Sequence, residues 1–120
     1  MKVAVVSEDF RSLSGPAGKA RRFLLFEAKQ GQRPVLERYF QLPADMPTYH
    51  DLHEDDHSFH PIGGMVLITA EAGEGFRERL ARRGTQVHIT TEQDPHTAVR
   101  LFLEGRLPEK VPSAPKASPC

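Results

Sequence analysis

Two stretches of the chain place apolar residues at consecutive positions, residues 2–6 (KVAVV) and 65–70 (MVLITA). Because successive side chains of a strand point to opposite faces of a sheet, such a run predicts a central strand that is covered on both sides. A segment with closely spaced glycines follows each stretch, Ser14–Gly18 after the first and Gly73–Gly75 after the second. The pattern therefore predicts two buried strands, each leading into a glycine-containing loop.

The remaining elements follow from shorter patterns. Two apolar runs separated by a polar turn that contains Gly31 predict an antiparallel hairpin. Helices are indicated where apolar residues recur on one side of a segment that a glycine terminates. The predicted elements are a strand over Arg22–Ala28, a strand over Val35–Leu42, a helix over Glu74–Arg83, a strand over Gln86–Thr90 and a helix over Pro95–Glu104.

This order of elements predicts an α/β fold. The second half alternates strands with helices, so its strands should be parallel, and the hairpin adds antiparallel strands to the same sheet. The carboxyl ends of the two buried strands should bring their glycine-containing loops together as the walls of a site, unless the glycines serve only as turns. One domain is expected over residues 1–107, and the Pro-, Ser- and Lys-rich residues 108–120 are expected to be disordered.

Length and composition narrow the class of protein. The chain has 120 residues, of which 38% are hydrophobic, which suits one domain. It contains neither an apolar run as long as a membrane span nor the hydrophobic core of a signal peptide, so we expect a cytoplasmic protein without a membrane partner. The single cysteine, Cys120, excludes disulfides and all-cysteine metal sites within one chain. It is either a spare thiol or an additional ligand.

Charge is unevenly distributed along the chain. Residues 1–40 carry eight Lys and Arg against four Asp and Glu, whereas residues 41–60 carry five acidic residues and no basic ones. This is not the footprint of a nucleic-acid-binding protein. A local cationic cluster is predicted to receive a compact anion or to be an ordinary solvated surface. It consists of Arg11, Lys19, Arg21 and Arg22.

The stretch HDLHEDDHSFH, residues 50–60, is the strongest chemical feature. It holds four of the six histidines, His50, His53, His57 and His60, interleaved with carboxylates. In a helix, offsets of three, seven and ten residues would place these imidazoles along one stripe, where they could bind zinc, copper, nickel or iron. Pro47 and Pro61 bracket the stretch, so a polar connector is the alternative.

Taken together, these segments resemble the dinitrogenase iron–molybdenum cofactor biosynthesis family. This family comprises the stand-alone NifX- and NafY-like proteins and the C-terminal domain of NifB. The resemblance covers about residues 1–107. It is carried by MKVAVVSEDF, SGPAGKARRFLLFEA, HDLHEDDHSFHPIGGMVLITAEAGEGFRERLARRG and TAVRLFLEGRL, in that order.

The resemblance implies a ribonuclease-H-like three-layer α/β/α fold with a five-stranded mixed sheet. It also implies non-catalytic binding or carriage of iron–sulfur or iron–molybdenum clusters or their precursors, in a nitrogen-fixation context with cofactor-assembly proteins as partners. The family's first loop usually reads G-H-x-G and its histidine is implicated in holding the cluster, whereas Pro16 stands at that place here. His50, His53 and His60 match connector histidines of similar stand-alone members, and His57 is additional.

The sequence therefore predicts two groups of binding residues. The loop and the residues after it are expected to provide backbone N–H donors and a cationic rim. This group is Ser14, Gly15, Gly18, Lys19, Arg21 and Arg22, and the metal-binding group is His50, His53, His57 and His60. A mononuclear zinc or nickel module is the second hypothesis. Catalysis is the third and weakest, because Glu8, Asp9 and Glu71 follow strand ends without forming a recognisable set.

Overall fold

The computed structural model describes residues 1–51 and 62–111. Within these ranges, five strands and two helices follow one another, with a 3₁₀ turn at Tyr49–Asp51. The strands are β1 (Lys2–Val6), β2 (Arg22–Glu27), β3 (Val35–Gln41), β4 (Val66–Thr69) and β5 (Val87–Ile89), and the helices are α1 (Glu74–Arg82) and α2 (Pro95–Leu103). The predicted elements are all present, and each of their ends lies within one residue of the predicted position.

The strands form one mixed sheet in the order β3-β2-β1-β4-β5. β1 pairs antiparallel with β2 and parallel with β4, so that Ala4 lies between Leu25 and Leu67. β2 pairs antiparallel with β3, and β4 pairs parallel with β5. The predictions of an α/β fold, of a five-stranded mixed sheet and of a β2–β3 hairpin are therefore confirmed.

β1 is the central strand of the sheet, and both of its faces are covered. Residues 3–6 of β1 are buried, and their side chains alternate between two apolar clusters. Ala4 and Val6 belong to the cluster that contains Leu80 of α1. Val3 and Val5 belong to the cluster that contains Ala98 and Val99 of α2. One helix therefore packs against each face of the sheet, as the doubly apolar pattern of β1 requires.

The end of the described chain differs from the prediction. The composition of residues 108–110 predicts disorder, but these residues lie along the end of β5. The backbone N–H of Lys110 donates to the carbonyl of Ile89 at 2.9 Å, and the Thr90 hydroxyl donates to the carbonyl of Pro108. Nδ1 of His88 lies 2.9 Å from Oε1 of Glu109. The low-complexity composition concealed these contacts, and residues 112–120, including Cys120, lie outside the described part.

The helices of the described ranges are short. α1 and α2 each have nine residues, and no helix in residues 1–51 or 62–111 is long and apolar enough to span a membrane.

α2 begins as the sequence predicts. The Asp94 carboxylate accepts hydrogen bonds from the backbone N–H of Thr97 at 2.9 Å and from the Thr97 hydroxyl at 2.6 Å, and Pro95 occupies the first turn. These hydrogen bonds, the side-chain one first, lower the pKa of Asp94 below its ordinary value. The carboxylate therefore stabilises the helix only in its ionised form.

We expect Asp94→Ala to lower the free energy of unfolding by about 1 kcal/mol at neutral pH. Because the pKa of Asp94 is lower in the folded state, its contribution is present above the unfolded-state pKa of about 4 and is lost as the pH falls below that value. Urea unfolding of both proteins at several pH values measures the difference. Asp94→Ser is the matched control, since it keeps a capping oxygen without a titrating group. A wild-type advantage over Asp94→Ala that persists unchanged in acid would contradict the assignment.

Candidate functional site

The loop Ser14–Gly18 is fixed against the segment that links β4 to α1. The buried Thr69 hydroxyl donates to the carbonyl of Gly15 at 3.1 Å, and the backbone N–H of Ala17 donates to the carbonyl of Glu71 at 3.0 Å. Pro16 and Glu71 form an isolated parallel bridge outside the strands. The two segments predicted to wall a site at the carboxyl ends of these strands are thus in contact.

Gly15 is the one residue of the loop that its backbone restricts to glycine. Its φ of 93° lies in the region that residues with a Cβ rarely adopt. A Cβ at this position would also lie 2.7 to 2.9 Å from Cγ, Cδ and Oε2 of Glu8. The Glu8 side chain therefore folds directly over the Gly15 backbone.

Gly18 joins the loop to the start of the histidine-rich stretch. Its carbonyl accepts a hydrogen bond of 2.7 Å from the backbone N–H of His50. A Cβ at Gly18 would lie 3.7 Å from Cβ of His50 and 3.9 Å from the Phe76 ring, which is ordinary van der Waals contact. The first histidine of the stretch consequently lies beside the loop, and its side chain is exposed.

Tyr49 anchors this junction in the core. Its ring is 3% exposed and meets the Phe76 ring edge-on at 5.7 Å between centroids. Burial raises the pKa of the Tyr49 phenol above its usual range, so the group stays neutral. Arg79 of α1 donates to the Tyr49 carbonyl at 3.3 Å. The residue before His50 is therefore held by both packing and backbone contacts.

A groove of about 240 Å³ runs between the end of β1 and the start of β2. Its walls combine an apolar floor with four charged residues. The lining residues are Val6, Ser7, Glu8, Pro16, Lys19, Ala20, Arg21 and Arg22. Three of the six predicted anion-binding residues, namely Lys19, Arg21 and Arg22, therefore line one concave surface, and Pro16 lies in the same wall.

The three cations of the groove differ in what already holds them. Nη1 of Arg21 donates to the carbonyls of Pro43 and Met46 at 2.9 and 3.0 Å. Nη1 of Arg22 donates to the carbonyl of Glu8 at 2.8 Å. The exposed Lys19 ammonium makes neither an ion pair nor a hydrogen bond with any residue in ranges 1–51 and 62–111. Lys19 is thus the cation most available to a ligand, while both arginines also brace the backbone.

A turn built on the Asp9 carboxylate precedes the loop and positions Arg22, and it is not among the features predicted from the sequence. Oδ1 of Asp9 accepts hydrogen bonds from the backbone N–H groups of Ser12 and Arg11 at 2.8 and 2.9 Å. These bonds lower the pKa of Asp9 to about 2. The turn holds Phe10 at a φ of 62°, with its ring 5.6 Å from the Arg22 guanidinium carbon. An Asp followed by Ser three residues later was the available signal.

Ser14 lies on the other side of the loop. Its hydroxyl accepts a hydrogen bond from the backbone N–H of Glu8 at 3.1 Å. It lines a second cleft, of about 350 Å³, with Gly15, Thr91, Gln93 and Lys110 among the other lining residues. Ser14 therefore supports the groove through Glu8 but does not line it.

The predicted histidine ligands are only partly described. His53, His57 and His60 lie outside the described residues, as does Cys120. In the described part of the chain, no group of three or more His, Cys, Asp or Glu side chains is arranged to hold a metal ion. The other two histidines contact residues outside the loop. The ring of His88 packs on Phe102, and the ring of His96 packs on Phe26.

Comparisons with known proteins establish the fold but not the function. No protein-family model matches the chain, and no curated protein sequence matches it. Among solved structures, the crystal structure of PH0822 is similar with a TM-score of 0.62 over 92% of this chain and 95% of that chain, at 20% sequence identity. At this identity the likeness concerns the arrangement of strands and helices alone.

The two glycines of the loop provide a matched pair of substitutions. We expect Gly15→Ala to lower the free energy of unfolding by about 1–2 kcal/mol, because its φ disfavours any Cβ and Glu8 must move aside. Gly18→Ala meets only ordinary contacts, so we expect a change of less than about 1 kcal/mol. Chemical denaturation measures both, and equal effects of the two substitutions would contradict the geometry of the loop.

Proposed function

We propose that the chain is a non-catalytic binding protein that carries an iron–sulfur or iron–molybdenum cluster, or a precursor, in nitrogenase-type metallocofactor assembly. The observation that carries this proposal is the hydrogen bond between the His50 N–H and the Gly18 carbonyl. It joins His50, the first residue of the histidine-rich stretch, to the loop that contributes Pro16 to the cationic groove. This contact supports the proposal because His50 is a potential metal ligand and Lys19, which follows Gly18 in the chain, lines the cationic groove.

The chemistry of the groove suits a large anion that must later be released. Metal–sulfide clusters carry negative charge, and a carrier holds them with few strong ligands and a cationic rim. Lys19 and the remaining N–H groups of Arg22 are available for such contacts, whereas Arg21 contributes mainly by bracing the turn at residues 43–46. Imidazoles from the connector would add ligands that exchange readily with an acceptor protein.

The finer fold assignment belongs to the same proposal. A five-stranded mixed sheet with one helix packed on each face is compatible with the ribonuclease-H-like three-layer arrangement that the resemblance implies. The similarity to the crystal structure of PH0822 supports a common arrangement of strands and helices.

Pro16 distinguishes this chain from the family pattern. It lines the groove and offers no ligand atom, so the family's loop histidine has no counterpart at that place. Under the proposal, the connector histidines therefore carry the metal ligation. A mononuclear zinc or nickel site built from the same four histidines is the second candidate, and the dense spacing of His50, His53, His57 and His60 is the feature that favours it.

Non-catalytic carriage is also favoured by how the nearby carboxylates are used. The Asp9 carboxylate is occupied by the backbone N–H groups of its own turn. Phosphoryl-transfer sites on metal ions need several carboxylates that converge on one point. Of the three carboxylates that follow strand ends, only Glu8 lines the groove.

Anaerobic reconstitution of the untagged protein with iron, sulfide and molybdate tests the proposal. We expect broad visible absorption and several retained iron atoms per chain after desalting, because the groove and the connector act together. Replacing His50, His53 and His60 by Ala should abolish most of this retention. Metal counting and electron paramagnetic resonance provide the measurement.

The matched control replaces the two histidines outside the connector, His88 and His96, by Gln. This variant should retain the cluster like the wild type. Retention of one zinc or nickel ion per chain without sulfide would favour the mononuclear alternative. Equal cluster loading of the connector variant and the control would refute the role of the connector.

Lys19 is expected to contribute electrostatically to the same retention. Lys19→Gln should weaken it roughly two- to fivefold at low salt, with a smaller effect at high salt, because an exposed charge is screened. Lys29→Gln, in the hairpin turn, removes the same charge outside the groove and should have no effect. Cluster retention is measured for both variants across a salt series. Equal retention by Lys19→Gln and Lys29→Gln would show that Lys19 does not contribute to binding.

A further inference from the structure

Glu8 is a carboxylate in a groove whose other charged residues are cations. It lies two residues after the end of β1, and it lines the groove with Lys19, Arg21 and Arg22. Its side chain is placed over Gly15, where Cγ, Cδ and Oε2 occupy the space that a Cβ of that residue would need. The glycine therefore permits the carboxylate to lie across the loop.

The backbone of Glu8 is held at both of its polar atoms. Its N–H donates to the Ser14 hydroxyl at 3.1 Å, and its carbonyl accepts from Arg22 at 2.8 Å. The carboxylate oxygens, by contrast, make no ion pair or hydrogen bond within the described ranges of the chain. The structure thus fixes where the side chain begins and leaves both of its oxygens available to a ligand.

A carboxylate at this position is unfavourable for a simple oxyanion. An anion that is attracted by Lys19 would lie within the same groove as the exposed carboxylate of Glu8, and the two like charges would repel each other. A ligand that contains a metal cation reverses this effect, because the carboxylate then coordinates the metal while the cations contact the anionic part. The combination of one carboxylate with three cations therefore favours metal-bearing anions over plain oxyanions.

We propose that the Glu8 carboxylate supplies an oxygen ligand to a metal of the cargo, so that the groove selects metal-bearing anions over plain oxyanions. This inference rests on the proposed function and specifies its ligand. It also identifies a protein ligand beside Pro16, on the wall of the groove that β1 provides. Coordination here forms one bond between the metal and a carboxylate oxygen and requires no redox step.

The test compares Glu8→Gln with Glu78→Gln in the full chain. Glu78 is an exposed residue of α1 outside the groove lining, so its substitution controls for the lost charge. Two probes are used, the reconstituted iron–sulfide cluster and inorganic phosphate, with binding followed by metal counting and by calorimetry. Glu8→Gln should lower the apparent affinity for the cluster by roughly tenfold or more, in the range found for groups that support metal sites.

The expected change in phosphate affinity is opposite in sign to the change in cluster affinity. Glu8→Gln should raise the affinity for phosphate several-fold, because the like charge is removed, whereas Glu78→Gln should change neither affinity. Glu8→Asp, which keeps the charge on a shorter side chain, should recover part of the cluster binding and continue to exclude phosphate.

Three results would overturn the inference. If Glu8→Gln binds both probes more tightly, the carboxylate is a countercharge and not a ligand. If it binds the cluster as the wild type does, Glu8 has no role in retention. If the wild type itself retains no iron, the proposed function fails together with the inference, and this case is recognised before any variant is compared.

Discussion

The closure of the loop Ser14–Gly18 onto the end of β4 is the constraint on which the candidate site depends. The Thr69 hydroxyl and the Ala17 N–H supply two hydrogen bonds across this junction, each worth about 1 kcal/mol. Because Thr69 is fully buried, its hydroxyl needs such a partner. These two bonds hold the loop in place. Gly15 can therefore contact Glu8, and Gly18 can contact His50.

The architecture of the sheet was largely readable from the sequence because its signals are local and strong. The side chains of residues 3–6 alternate between two apolar clusters, so each of them must be apolar. The consecutive apolar residues of KVAVV indicate this directly. The hairpin and the cap of α2 depend equally on neighbouring residues. The pairing of residues 108–110 with β5 was missed because it depends on His88 and Ile89, some twenty positions earlier, and composition carries no such information.

The site was predicted less completely, since most of its contacts join distant residues. The sequence located the loop and its cations, but it did not show that Arg21 is engaged with carbonyls at residues 43 and 46. Nor did it show Glu8 lying across Gly15, because a glutamate after a strand has no fixed direction until a neighbouring glycine leaves space for it. Charge sign could be read from the sequence, whereas the partners of each charge could not.

Pro16 is accommodated in the loop without disturbing its pairing with the segment after β4. A proline removes a backbone N–H, but the bridge to Glu71 uses the N–H of Ala17, so the pairing survives. The fixed φ of proline also restricts the loop before folding, which lowers the entropy cost of closing it. Pro16 thus adds rigidity to the loop. The loop in turn contacts Glu8 at Gly15 and His50 at Gly18, two residues whose side-chain types can ligate metals. The positions of both residues therefore depend on the geometry of this loop.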